Sequence, residues 1–512
     1  MSDCESCNKM HNADKTCWNC PAAKFKGNVD FRACGQSKEK LKELEESKEI
    51  MIECKRRPDL GHYEPSITFE ECPEWEESDY GYKLKDMKVM ILGIDGYLGW
   101  TLALKLANLG FKVSGIDNYT RRDSVMEMGA HTIVPIADMT QRLKKAKEEL
   151  GVEINFRRMD ISDYDRLEEF LDEVKPEAIV HYAEIPSAPY SMIDRKHAAN
   201  VQKNNVLGTL NLLFAMKETV PESSLIKLGT MGEYGSPLTG RPLFEGLFPS
   251  DATLKWDDRE WSMGGELTPR DPVSFYHCSK VQDTFNVYEA CKYWWLRSYD
   301  VMQGVIYGVH TYEVSKHPDL RTRFDVDEAF GTVINRFASQ AVLDLPLTVY
   351  GGGEQIRGFI ALEDAMECMT RLILSPPEPG QYDVVNQVSG LHKINDLAET
   401  VAKVGNEKFD LDVNIQRVEN PRVESEEHPF EVVSKKLPKQ HGFEPKVSLE
   451  KEITRIFEML TKPEIKQRIE EKRHTIMPKI KWNLDKKESE TLEVYKPGEK
   501  EKKGYHGKLD RD

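Results

Sequence analysis

Two side chains in the run SFYHCSKVQDTFNVYEACKYW (274–294) could do acid–base work: Tyr276 and Lys280, four residues apart. Four residues is about one helical turn, so on a helix the two share a face. An ammonium beside a phenol stabilises the phenolate and brings its pKa down from about 10 toward working pH. A phenolate held in this way can take the proton of an alcohol while the carbon is oxidised. Thr230, at the end of the apolar run LIKLGT, could hydrogen-bond the same hydroxyl. Alone, the pair fits a helix-surface contact equally well, and its weight comes from what accompanies it.

Oxidation needs an acceptor, and a second motif offers a place for one. The strand-like KVMILG runs into GIDGYLG, with Gly93, Gly96 and Gly99, and Tyr97 and Leu98 open a helical pattern. Glycines are needed where a turn is tight and the backbone must approach a pyrophosphate, while the helix N-terminus aims its amides at the phosphates. Asp117 ends the second strand-like run, followed by Asn118. A carboxylate there can accept from a ribose diol and would repel a 2′-phosphate, which favours NAD over NADP. Arg121 and Arg122 blur that inference, because either could serve a phosphate. A glycine triplet is a weak signal by itself; between a strand and a helix at the head of a βαβ series it has the context it requires. The charge of a bound nicotinamide would favour the Tyr276 phenolate, as Lys280 would.

Positioning such a site takes a scaffold. From Met87 onward apolar runs (KVMILG, KVSGID, INFRRMDI, AIVHYAE, LIKLGTM, YDVMQGVIYG) alternate with helical patterns at 97–109, 163–174, 195–218 and 274–294. That alternation predicts an α/β fold, a Rossmann-like doubly wound parallel sheet. We expect an NAD-binding domain over 87–300 and a smaller C-terminal domain, mainly for substrate, over 301–480. Residues 481–512 read as a polar tail. A Cys-rich N-terminal module covers 1–36. Residues 37–86 form a charged helix, signalled by Leu41 and Leu44, followed by a linker arm.

The GxxGxxG spacing, Asp160 with Ile161 after the third strand, and Tyr-x3-Lys resemble the extended short-chain dehydrogenase/reductase family over roughly residues 87–480. NNVLGTLN (204–211) is similar to the family's Asn-containing fourth helix. DGYLGW (95–100), DNYTRR (117–122), SAPYSMIDR (187–195), LGTMGEYG (228–235), FYHCSK (275–280), QGVIYG (303–308) and NPRVESEEH (420–428) resemble the branch that joins UDP-glucose and sulfite. LRTRFDVDEAFGTVINRF (320–337), LTVYGGGEQIRGFI (347–360) and the insertion between Gly235 and Ser274 belong to the same resemblance.

The resemblance implies a route: oxidation at sugar C4, loss of water across C5 and C6, addition of sulfite at C6, and return of the hydride, with NAD recycled. It implies catalytic roles for Thr230, Tyr276 and Lys280. Cofactor contacts would come from the glycine turn, Asp117, Asn118, Arg121, Arg122, Asp160, Ile161, Tyr276 and Lys280. A nucleotide sugar would lie against Asn205, Thr230, Gln303, Arg323, Arg357, Arg422 and Glu424, arginine forks suiting a diphosphate. The family habit is a homodimer packed through two long helices, including 274–294. Sugar 4,6-dehydratases carry Asp-Glu directly after the threonine; here stand Met231 and Gly232, with Glu233 one place later. The base for C5 and C6 is thus open between Glu233 and His277. Pro186 stands where an arginine can occur in the branch.

Seven of the ten cysteines fall before residue 73. Cys4-x2-Cys7 and Cys17-x2-Cys20 are two chelating pairs, so four thiolates could hold zinc; an iron–sulfur cluster or a set of reduced thiols are the alternatives. Such a module could bind a protein partner. The net charge of −16 argues against nucleic acid or an anionic membrane as the main partner. No apolar run reaches the length of a membrane span, and MSDCESCNKMHNADKTC has no apolar signal core, so the expectation is a soluble cytoplasmic protein.

Overall fold

The run Lys88–Leu92 extends as the first strand, β1, with Val89, Met90, Ile91 and Leu92 all fully buried. A strand without apolar–polar alternation must be covered on both faces, the condition of a parallel sheet. β1 lies within a seven-stranded sheet with β2 (Lys112–Asp117), β3 (Ile154–Arg158), β4 (Ala178–His181), β5 (Ser224–Thr230), β6 (Arg297–Gln303) and β7 (Tyr382–Gln387). The spatial order is β7-β6-β5-β4-β1-β2-β3. Neighbours β1–β4, β2–β3, β4–β5, β5–β6 and β6–β7 run parallel. The order reverses between β1 and β4, and the strand ends there open the crevice where doubly wound sheets bind ligands.

This computed structural model describes residues 86–235, 240–419 and 430–471, together with the backbone of three short strands, Ala23–Lys26, Met51–Cys54 and His62–Tyr63. The chain forms two units: residues 1–87 with 109–112, and residues 88–108 with 113–512. In the first, the three short strands make an antiparallel sheet. Met51–Cys54 is a strand inside the stretch expected to be helical. The second unit carries the seven-stranded sheet.

Three helices matter most for the site. α1 (Tyr97–Asn108) follows β1, α2 (Gly208–Thr219) precedes β5, and α3 (Phe275–Trp294) precedes β6. Ser274 caps α3 by accepting from the His277 amide, and Trp295 ends the helix in the left-handed region at φ +60°. On one face of the sheet, Leu212, Leu213 and Met216 of α2 pack with Phe170, Leu171 and Val287 against Met90, Leu92 and Ile179. Each such side chain, fully buried, stabilises by about 1.5–3 kcal/mol.

The expected helix over 195–218 is present but interrupted. Arg195–Gln202 passes through a π-helical turn, Lys203–Leu207, before α2 begins. Such turns place one extra residue in the helix and concentrate at functional sites; this one contains Asn205.

Past residue 300 the chain does two things. It supplies β7 to the sheet, and it builds a second core from Ile334, Phe337, Val401, Ile453 and Phe457 on the helices Val333–Val342, Ile394–Phe409 and Leu449–Leu460. Between Gly235 and Ser274 lies an antiparallel hairpin, Thr253–Trp256 with Arg259–Ser262. Among the described residues no helix is long and apolar enough to cross a membrane.

Candidate active site

The glycine turn is built so that side chains cannot enter it. Gly93 has φ +84°, and a Cβ there would lie 2.6 Å from the Tyr182 carbonyl. A Cβ on Gly99 would stand 2.1 Å from the Gly93 carbonyl oxygen, and one on Gly96 3.2 Å from the same atom. Tyr97 turns its hydroxyl away to the Gly308 carbonyl, 2.6 Å off. What remains is a bare backbone cradle at the head of α1, as a pyrophosphate requires.

Asp117 stands at the end of β2 and accepts from the amides of Asp95 (2.8 Å) and Tyr119 (2.7 Å). Burial, with the neighbouring Asp95 carboxylate adding to it, lifts Asp117 to about 6. Asn118 donates to Asp160 at 2.8 Å, and Ile161 is buried beneath. Burial pushes Asp160 up, but the Ser162 amide at 2.8 Å and Asn118 outweigh it and hold the carboxyl below its ordinary value.

The two arginines that clouded the choice of cofactor are both engaged. Arg122 forks onto Asp95 with two bonds of 2.6 Å. Arg121 pairs with Asp325 at 2.8 Å, its guanidinium 4.1 Å from the Phe330 ring centre. Arg142, not among the expected site residues, is wholly buried, bonds Asp95 at 2.9 Å and stacks on Trp100. A 2′-phosphate would have to draw Arg121 or Arg122 off these partners. The cradle and Asp117 therefore fit a dinucleotide with a free ribose diol.

On the other side of the crevice, Thr230 ends β5 in register with Gln303 at the end of β6, and Gln303 donates to Gln387 at 2.7 Å. α3 is fastened here by its backbone and by small polar side chains. The Tyr276 amide donates to Ser191 (3.0 Å), and Ser279 receives a bond from Asn205 (3.0 Å). Asn205 is fully buried, and its carbonyl oxygen accepts from the Ile185 amide. Its carboxamide ties α3 to the segment after β4. Arg323 is also buried, forked onto Asp325 at 3.2 and 3.1 Å, so it belongs with Arg121 in one ion cluster rather than on an open surface. Arg357 lies in the strand Ile356–Ala361 and donates to the Ile356 carbonyl.

The Tyr276–Lys280 pair shares a face of α3, but its electrostatics differ from expectation. Burial pushes the Tyr276 phenol up, and the Glu184 carboxylate pushes it further. The Lys280 ammonium is bonded to Glu184 and lies 3.6 Å from Asp283. Burial pulls Lys280 down, but those two carboxylates more than restore it. In this arrangement the ammonium is committed to acids, and the phenol stays protonated.

His277 and Glu233, the two candidate bases, separate clearly. The His277 ring accepts or donates at Ser274 (3.0 Å) and lies 5.1 Å, centre to centre, from the Tyr276 ring. Its Nε2 occupies the space a side chain at 232 would need: a Cβ on Gly232 would be 2.2 Å away. The glycine after Met231 is thus what admits the imidazole to the turn beside Thr230. Glu233 is fully buried and faces inward. It takes bonds from Thr284 (2.8 Å), Lys227 (3.4 Å) and the Thr230 amide (3.3 Å). Lys227 also bonds Asp300 at 3.1 Å, and Asp300 accepts from Tyr382 at 2.9 Å. Burial raises Glu233, and its carboxylate braces the Thr230 turn.

Sequence reasoning missed Glu184, Asp283, Lys227 and Asp300. Lys227 and Asp300 did carry a signal: each is a charge inside an apolar run that a parallel sheet must bury. Cys4, Cys7, Cys17, Cys20, Arg422 and Glu424 lie outside the described residues, and among those described there is no cluster of three or more potential metal ligands.

Comparison with known proteins agrees with this geometry. Residues 89–386 match the profile of the NAD dependent epimerase/dehydratase family. The chain is 42% identical over 396 residues to UDP-sulfoquinovose synthase of Sulfolobus acidocaldarius, covering 77% of this chain and 98% of that one. It is 39% identical over 395 residues to the chloroplastic UDP-sulfoquinovose synthase of Spinacia oleracea, covering 77% and 79%. Among solved structures, a UDP-glucuronic acid 4-epimerase from Bacillus cereus, in complex with UDP-glucuronic acid and NAD, shares the fold at a TM-score of 0.53 and 20% identity, covering 74% of this chain and 99% of its own.

Proposed function

Because the chain belongs to the NAD dependent epimerase/dehydratase family, and within it to the UDP-sulfoquinovose synthases, we propose that its site converts UDP-glucose and sulfite to UDP-sulfoquinovose. The observation that supports this is the His277 ring standing against Gly232, in the turn that follows Thr230 at the end of β5, with the Tyr276 ring 5.1 Å from it.

The cradle residues Gly93, Gly96 and Gly99, with Asp117, Asn118 and Asp160, would hold NAD, with Tyr276 and Lys280 beside its reactive end. Bound there, NAD supplies a hydride acceptor that later gives the hydride back to the same sugar. Thr230 binds the C4 hydroxyl, and Tyr276, once ionised, takes its proton. The resulting C4 ketone acidifies the C5 proton, and departure of the C6 oxygen as water leaves a conjugated enone. Sulfite adds at C6, and Tyr276 returns its proton to the C4 oxygen. With Glu233 turned inward, His277 is the group placed to move the C5 and C6 protons. Gln303, Arg357, Arg422 and Glu424 would line the nucleotide-sugar side, formed mainly by residues 301–480 with β7 lent to the sheet. Exposed Leu207, Phe214, Phe275 and Phe285 on and beside α2 and α3 support a homodimer packed through those helices.

The second possibility is a 4-epimerase or 4,6-dehydratase on the same fold. Purified protein incubated with UDP-glucose, with and without sulfite, separates them. A sulfonated UDP-hexose formed only with sulfite is the expected product. UDP-galactose, or a 6-deoxy-4-keto sugar, would displace the proposal. For the segment 1–36 we propose a structural zinc held by Cys4, Cys7, Cys17 and Cys20 that supports a protein contact; metal analysis of the full chain tests it.

A further inference from the structure

Lys280 is almost completely buried, and of the carboxylates around its ammonium only Glu184 hydrogen-bonds it. Asp283 lies 3.6 Å off, and neither of its oxygens has a hydrogen-bond partner. The second oxygen of Glu184 is also buried without one, 3.7 Å from His181. His181 gives Glu184 no counter-charge: it is fully buried, shares its Nε2 with Thr209 at 3.0 Å, and is held neutral by burial. Glu184 therefore depends on Lys280 for compensation, and Lys280 on Glu184 for its placement. Buried charges so arranged fix each other's position, since either one left alone would be strongly destabilised.

We propose that Glu184 is a positioning residue for the catalytic lysine: it fixes where the Lys280 ammonium stands and, by its own charge, sets the pH at which Tyr276 ionises. This rests on the role proposed above for Tyr276 and Lys280. The charges that bear on the phenol are Glu184 after β4, Glu233 and Lys227 at β5, and Asp283 on α3; the ring also packs against the apolar cluster of Val125, Ala130, Tyr190, Val201, Ala329 and Phe330, whose segments carry Glu127, His197 and Asp327. Glu184 is the charge on this set that opposes ionisation most strongly, after burial itself. An enzyme that must take one proton from C4 and hand the same proton back gains from a base held close to balance, and a fixed carboxylate behind the lysine is a means of setting it.

The test is the ultraviolet titration of the Tyr276 phenol in cofactor-free protein, read as the difference between each variant and the same variant carrying Tyr276→Phe. Glu184→Gln keeps the shape and removes the charge. We expect its phenol to titrate at least about one pH unit lower than wild type, with Asp283→Asn moving it less. With UDP-glucose and NAD but no sulfite, the pH at which reduced nicotinamide first accumulates should fall by the same amount. If Glu184→Gln folds and the titration does not move, Glu184 merely fills space and the proposal is overturned. Should Glu184→Gln fail to fold, the Lys280→Met single variant is compared with Glu184→Met/Lys280→Met, which removes the ammonium together with the carboxylate bonded to it. The double variant should then show the lower phenol titration; equal values would overturn the proposal. None of the titrations needs substrate, so an error in the sugar or in sulfite would leave them intact and appear only as missing product.

Discussion

Asp117→Asn should make the cofactor-free protein more stable while weakening its hold on NAD. Burial lifts the carboxyl from 3.8 to about 6. At about 1.36 kcal/mol per pKa unit, keeping it ionised above that pH costs about 3 kcal/mol of folding free energy. The sign follows from the raised value: the protein is favoured while Asp117 is protonated, and that advantage is lost as pH rises from about 4 through 6. Asparagine keeps a carbonyl acceptor for one of the two amides now bound, so about 1 kcal/mol is given back with the other hydrogen bond. At pH 8 the variant should therefore gain about 2 kcal/mol, and the gain should shrink steadily below pH 6. Denaturant unfolding of the cofactor-free protein at pH 5, 6, 7 and 8 measures it, as a shift of midpoint at constant slope. Calorimetric titration with NAD should show affinity down at least about tenfold, the value of a lost charged hydrogen bond to a ribose hydroxyl. A variant less stable than wild type at pH 8, or a difference that stays flat from pH 5 to 8, would refute the reasoning.

Other substitutions probe the remaining parts. Gly99→Ala drives a Cβ into the Gly93 carbonyl, a backbone atom that cannot step aside, so saturable NAD binding should vanish and stability fall by about 1–3 kcal/mol in a thermal melt. Gly232→Ala meets only the tip of His277; the fold should hold within about 1 kcal/mol, while sulfonated product forms at least about 100-fold more slowly because the imidazole is displaced. Lys227→Met strands Glu233 and Asp300, and urea unfolding should show a loss of about 3–5 kcal/mol, partly recovered by adding Asp300→Asn.

The strands, the glycine turn and the one-face pairing of Tyr276 with Lys280 were legible in the sequence because each is written in local spacing. Period and apolar run length determine strand and helix before any tertiary contact forms. What was not legible is where polar side chains spend their bonds. Asn205, Arg121, Arg122, Arg323 and Glu233 all have the chemistry to touch a ligand, and each is instead committed to Ile185, Asp325, Asp95 or Lys227. For Asn205, Arg122 and Arg121 those partners stand 20, 27 and 204 positions off in the chain and come near only when the sheet assembles; Arg323 and Glu233 pair with near neighbours, a choice that residue type and spacing alone do not dictate. Lys280 shows the same limit from the other side: four residues of helix placed it correctly beside Tyr276, but its charge is governed by Glu184, 96 positions earlier.

One of the two edge strands of the sheet, β7, is made long after its neighbour β6, with the whole stretch 304–381 emerging from the ribosome in between. Until β7 arrives, the growing chain must carry an open row of backbone amides and carbonyls along β6, beside the buried side chains of Val301 and Met302. Such an edge invites pairing with other chains. Pausing or truncating synthesis before residue 387 should yield aggregates rather than a working half, so the cofactor-binding portion is not a module that could be cut out and reused.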